Sequence, residues 1–103
     1  MKDAKPEEIR HSQSGERGVF FLERDGRRVA ELTYTLAGAR ALVDHTYVEP
    51  ALRGGSLAAS LVEAAARWAR AEQYKIVPLC SYVRVVFNRT HAYDDVWGQI
   101  PRS

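Results

Sequence analysis

The chain has 103 residues, 46% of them hydrophobic, enough to bury one core in a single domain spanning 1–103 and too few for a second. Two Trp, five Tyr, three Phe and 27% charged residues exclude a disordered tail. A net charge of +2 without any block of Lys or Arg makes nucleic acid a permitted partner, not an implied one.

The segment Met1-Lys2-Asp3-Ala4-Lys5-Pro6 starts with charge and leads into no apolar stretch. Residues 1–8 are expected to be flexible, and a soluble, untargeted protein without membrane contact is expected. Because His11-Ser12-Gln13-Ser14-Gly15-Glu16 is polar too, a strand near Ile9 would be short and weakly marked. Val19-Phe20-Phe21-Leu22-Glu23 and Val29-Ala30-Glu31-Leu32-Thr33-Tyr34 flank Asp25-Gly26, which predicts a hairpin closed by a type I′ turn. In its second arm Ala30, Leu32, Tyr34 and Leu36 alternate with Glu31, Thr33 and Thr35, so one face of the sheet should be covered.

Gly38 marks the next turn, and Ala41–Val48 reads as a third strong strand ending at Glu49-Pro50. From Gly54 to about Glu72 the period changes to that of a helix, with Leu57, Leu61, Ala65 and Trp68 on one stripe and Ser60, Glu63, Arg67 and Arg70 opposite. Lys75-Ile76-Val77-Pro78-Leu79 is a short apolar run interrupted by Pro78. Ser81 can then cap a second helix through about Asn88, with Val83, Val86 and Phe87 facing inward. The predicted class is α/β (α+β), a mostly antiparallel twisted sheet in the order β-β-β-α-β-α.

A strand followed by Arg53-Gly54-Gly55-Ser56 and a helix presents unpaired N–H groups to an anion, and the helix dipole adds about half a positive charge there. The main chain of residues 54–58 could seat a pyrophosphate, with Arg53 adding a planar cationic fork. Equally, Gly54-Gly55 could be a plain turn, since glycine-rich strand-to-helix turns are common. Cys80 is the sole cysteine, which rules out an intramolecular disulfide and makes a reducing, cytoplasmic setting the expectation. Ahead of a helix its thiol could be a nucleophile; it could also be a small apolar filler.

His45-Thr46-Tyr47-Val48, Leu52-Arg53-Gly54-Gly55-Ser56-Leu57-Ala58, Val77-Pro78-Leu79-Cys80-Ser81-Tyr82-Val83 and His91-Ala92-Tyr93 follow one another in order. Together they resemble the small YjdJ-type branch of the GNAT (GCN5-related N-acetyltransferase) family, over about residues 17–97. The resemblance implies a minimal GNAT fold with a CoA-binding helix on the sheet. It also implies acetyl-CoA (or CoA) as co-substrate without a metal, and transfer of acetyl to an amine. By the same resemblance Tyr47, Val48, Arg53, Gly54, Gly55, Ser56, Leu57, Ala58 and Asn88 are the cofactor contacts, while His45 (base), Cys80 and Tyr93 (proton donor to sulfur) are the catalytic candidates. Each also has a structural reading: a strand histidine bonded to neighbours, a buried thiol, a packed phenol.

The family's loop pattern, Arg/Gln-x-x-Gly-x-Gly/Ala, falls on Arg53, Ser56 and Ala58, and Ser56 departs from it. Reduced CoA affinity is therefore an open expectation. Arg84 and Arg89 could meet the nucleotide 3′-phosphate or stay solvated. A core too short for acceptor-shaping helices should use an exposed amine on a larger partner and exist as a monomer or small homo-oligomer. A CoA-binding module without turnover and a small basic nucleic-acid binder are the alternatives.

Overall fold

A computed structural model of the chain describes residues 9–98; the predicted flexible segment 1–8 lies outside the described residues. Five strands make one sheet in the order β1 (Arg10–Ser14), β2 (Arg17–Arg24), β3 (Arg27–Ala37), β4 (Arg40–Val48) and β5 (Lys75–Pro78). The first four pair antiparallel, and β4 with β5 parallel. Between β4 and β5 runs helix α1 (Leu57–Glu72), and after β5 comes α2 (Ser81–Arg89). The mixed α/β class stands.

One correction concerns the order, because a full strand precedes the predicted hairpin. All five residues of β1 are exposed, so no alternation marks it. What holds it is tertiary: the His11 ring stacks on Phe20 with centroids 4.1 Å apart. The Tyr34 hydroxyl donates to Gln13 Oε1 at 3.2 Å, so the consistent tautomer has His11 Nε2 donating to that hydroxyl at 2.6 Å. The β2–β3 hairpin turns where expected, with φ of 53° at Asp25 and 73° at Gly26, both positive as a type I′ turn requires.

The core lies between the inward face of the sheet (Phe20, Leu22, Ala30, Leu32, Tyr34, Ala41, Val43) and the α1 stripe Leu57, Leu61, Ala65, joined by Val83 and Phe87 of α2. Trp68, on the same stripe, is only partly buried and closes the aromatic group around Tyr34. Two further one-residue corrections concern helix starts. Ser56 is the N-cap of α1, not part of its first turn, and Cys80, not Ser81, is the N-cap of α2; neither makes a side-chain cap bond.

Beyond α2 the chain is clasped onto α1. Arg70 holds Asp95 through two bonds of 2.6 and 3.1 Å, Lys75 Nζ donates to the Asp95 carbonyl, and the Tyr93 hydroxyl donates to Glu63 at 2.8 Å. Burial, and for Tyr93 the Glu63 bond as well, pushes the Tyr34 and Tyr93 hydroxyls from 10.0 up to about 12. The folded chain therefore keeps two protons that the unfolded chain releases near pH 10. Their contribution to stability is complete below that pH and is lost as pH rises toward 12. Urea midpoints should fall across this window, and less steeply in a double variant carrying Tyr34→Phe and Tyr93→Phe; parallel declines would contradict the assignment.

Candidate active site

Strand β5 ends at Pro78, paired with Val43, so β4 runs on to Val48 beyond it and leaves a gap on that side. Into the gap opens a cavity of about 380 Å³, lined by Thr46, Tyr47 and Val48 of β4, Leu52 to Gly55, Leu57 and Ala58 of α1, and Tyr82 of α2. Its floor and rim follow from local chemistry. Glu49-Pro50 stops the strand, Pro50 opens a single 3₁₀ turn, and Gly54 reverses the chain at φ 89°, where a side chain would be strained.

After that reversal the main chain runs into α1 with its donors unspent. The Ser60 N–H, bonded to the Ser56 carbonyl at 2.9 Å, is the first of the helix to find a main-chain acceptor, and among the described residues the N–H groups of Gly54 to Ala59 have none. No acidic side chain sits in the first turn of α1 to compete for them. Unpaired N–H groups at the positive end of a helix are the chemistry by which an anion can be held. Arg53 borders these groups, its Nε donating to the Val48 carbonyl at 2.8 Å, which holds the guanidinium at the end of β4.

At the other end, Cys80 is half-buried and its Sγ lies 3.4 Å from Thr46 Oγ1. The N–H groups of Leu79 and Cys80 both donate to the Val43 carbonyl, at 2.9 and 3.0 Å. Among the described residues no group of His, Cys, Asp or Glu gathers as metal ligands, and no helix is long and apolar enough to cross a membrane.

Of the cofactor residues expected from sequence, Tyr47, Val48, Arg53, Gly54, Gly55, Leu57 and Ala58 line the cavity; Ser56 and Asn88 do not. The Asn88 side chain donates to the Arg84 carbonyl within α2. Tyr93 is turned away: its ring packs on Phe87 and its hydroxyl is committed to Glu63. Arg84 donates to the Pro78 carbonyl, while Arg89 is exposed. His45 is half-exposed with its Nε2 3.6 Å from Glu31 Oε2, and it does not line the cavity. Thr46, Leu52 and Tyr82 are lining residues that sequence reasoning left out of the site. Tyr82, in the first turn of a helix that starts beside the cleft, was the most findable of them.

A sequence profile described as GCN5-related N-acetyl-transferase matches residues 19–96. The chain belongs to the GCN5-related N-acetyltransferase family. It is accordingly an acetyl-CoA-dependent acetyltransferase. No curated protein matches it in sequence. Among solved structures, a GCN5-like candidate N-acetyltransferase from Staphylococcus aureus is 26% identical with a TM-score of 0.69, covering 92% of this chain and 91% of that one. The ribosomal-protein-S18-alanine N-acetyltransferase of Escherichia coli shares the fold at 14% identity and a TM-score of 0.62, over 78% of this chain and 54% of that one. The aminoglycoside N-acetyltransferase AAC(6′)-Iy, solved in complex with CoA, does so at 13% identity and a TM-score of 0.60, over 93% and 100%.

Proposed function

We propose that this acetyltransferase moves the acetyl group of acetyl-CoA to an exposed amine on a larger partner, a lysine or a chain terminus. In this reading the CoA pyrophosphate rests on the N–H groups of Gly54 to Ala59 and the thioester lies beside Thr46 and Cys80. The observation that carries it is the cleft that joins those unspent donors to Thr46 of β4, whose hydroxyl touches Cys80, a residue just outside the lining. Leu79, next to Cys80 and outside the cavity lining, is a large apolar side chain left 46% exposed. A partner's surface would cover it, whereas a free small amine would not. We place the chain in the YjdJ-type branch on the order of its motifs, Leu52-Arg53-Gly54-Gly55-Ser56-Leu57-Ala58, then Val77-Pro78-Leu79-Cys80, then His91-Ala92-Tyr93.

In the direct route the amine nitrogen bonds to the thioester carbonyl carbon, the C–S bond breaks, and the amine's proton passes by way of a base to the departing sulfur, so that CoA leaves as its thiol. His45 is the base candidate for that route, but it faces Glu31. In the two-step route Cys80 Sγ bonds to the carbonyl carbon and CoA leaves with the thiol's proton; the amine nitrogen then bonds to that carbon, the C–Sγ bond breaks and the amine's proton returns to Sγ. The position of Cys80, at a helix N-cap and in contact with a cavity residue, favours the second route.

Intact mass spectrometry of enzyme and acceptor after an acid quench tests both parts. With acetyl-CoA the enzyme should gain one acetyl, absent in Cys80→Ala, whose turnover should fall about 100-fold or more, a typical contribution of one catalytic group. Peptide or protein amines should be acetylated faster than polyamines or amino sugars. Full turnover in Cys80→Ala would remove Cys80 from the chemistry. A small amine with kcat/KM above about 10⁴ M⁻¹s⁻¹, the low end of ordinary enzyme efficiency, would overturn the acceptor class.

A further inference from the structure

Strand β4 carries one residue too many. Thr33 pairs with His45 and Tyr34 with Val43, which leaves Asp44 opposite neither. Such a bulge shifts the alternation by one, and the burial of β4 shows it: Ala41 and Val43 are buried, then Val48, with Thr46 partly buried and His45 and Tyr47 exposed. In an unbroken strand His45 and Tyr47 would continue the face of Ala41 and Val43. The bulge instead gives that face to Thr46, the residue in contact with Cys80. It also falls next to the carbonyl of Val43, which holds the amides of Leu79 and Cys80, at the last register pair of β4 with β5.

The extra residue is tied down from two strands. Asp44 Oδ1 accepts from Thr33 Oγ1 at 2.7 Å, and Asp44 Oδ2 from Arg17 at 3.2 Å; the same Arg17 nitrogen donates to Thr35 Oγ1 at 2.6 Å. Although burial opposes it, these bonds hold the Asp44 carboxyl below its ordinary range. Arg17 stands on β2 and the two threonines on β3, so one carboxylate links three strands across the face away from α1.

We propose that Asp44 is a positioning residue for acetyl transfer: by latching the bulge to Thr33 and Arg17 it fixes the Val43 carbonyl, and through it the placement of Cys80 against Thr46. It touches neither ligand nor thiol and acts through the main chain. The proposal rests on the reading of the Cys80 end as the acyl site, but the latch can be tested without turnover.

Amide hydrogen exchange and kinetics on Asp44→Ala, Asp44→Asn and Thr33→Val make the test. Removing the latch should speed exchange of the Leu79 and Cys80 amides about tenfold or more, as local opening does, while Leu22 and Ala30 in the β2–β3 hairpin stay protected. In the same variant kcat should fall about tenfold or more, toward the roughly 100-fold that a 1 Å misplacement can cost, with KM for acetyl-CoA nearly unchanged because the pyrophosphate seat is on another element. Asp44→Asn, which keeps an oxygen for Thr33, should recover part of both losses, and Thr33→Val should reproduce them in smaller measure. Unchanged exchange at Leu79 and Cys80, or faster exchange throughout the sheet, would overturn the latch. Selective opening with undiminished kcat would overturn its part in transfer, and with it the placement of the acyl group.

Discussion

Gly55→Pro should weaken acetyl-CoA binding on the order of 100-fold, against less than about fivefold for Arg53→Ala. The contrast follows from where the donors are. Gly55 has no main-chain acceptor among the described residues, and its N–H stands at the start of α1 with the others that could meet a pyrophosphate. Proline removes that donor and puts ring carbon in its place. A hydrogen bond to a charged group contributes about 1.5–3 kcal/mol, which is roughly ten- to 150-fold in affinity. The Arg53 guanidinium is exposed and already bonded to Val48, so what it adds is an exposed ion pair of about 0.2–1 kcal/mol. Because α1 begins two residues later, at Leu57, Gly55→Pro leaves the helix its bonds. Calorimetric titration checks the pair, and equal losses would remove the backbone seat.

Gly18→Ala should destabilise the fold by about 3 kcal/mol, the upper part of the range for overpacking. For a domain of this size that lowers Tm by roughly 12–24 °C. Gly18 is buried in β2 directly opposite Tyr34, and a Cβ there would overlap the Tyr34 ring. The ring has nowhere to go. Trp68 lies against it with centroids 4.7 Å apart, and its hydroxyl is engaged with His11 and Gln13. Shortening the opposing side chain should relieve the clash, so Gly18→Ala combined with Tyr34→Leu should cost less than the two changes added separately. Thermal unfolding of the three variants decides it, and simple additivity would contradict the packing account.

Much of this architecture could be read from local signals, and what escaped has definable causes. Asp25-Gly26 announced its turn because type I′ geometry demands residues that tolerate positive φ, and the α1 stripe followed from helical period alone. The polar run His11–Ser14 offered no period; its strand exists because Phe20 and Tyr34, distant in sequence, supply a ring and a hydroxyl to His11. Gly54-Gly55 before a helical pattern announced a chain reversal ahead of α1, which the φ of 89° at Gly54 bears out, while whether that reversal holds an anion was left open by spacing alone. His45 falls outside the cavity lining, and the resemblance that singled it out carries no sign of the inserted Asp44, a bulge created by the pairing of β4 with β3 that inverts the faces after it. Tyr93 was drawn elsewhere by Glu63, a partner thirty positions away.

The central claim is that CoA is held by the main chain where α1 begins. Titrating CoA into the ¹⁵N-labelled protein and following backbone amides tests it most directly. The amides of Gly54, Gly55, Leu57 and Ala58 should shift strongly and saturate together, with Thr46 following as the pantetheine arm reaches along β4. Saturating shifts confined to the open face of the sheet, at Phe21, Glu31 and Thr33, with Gly54 to Ala58 unmoved, would contradict the account.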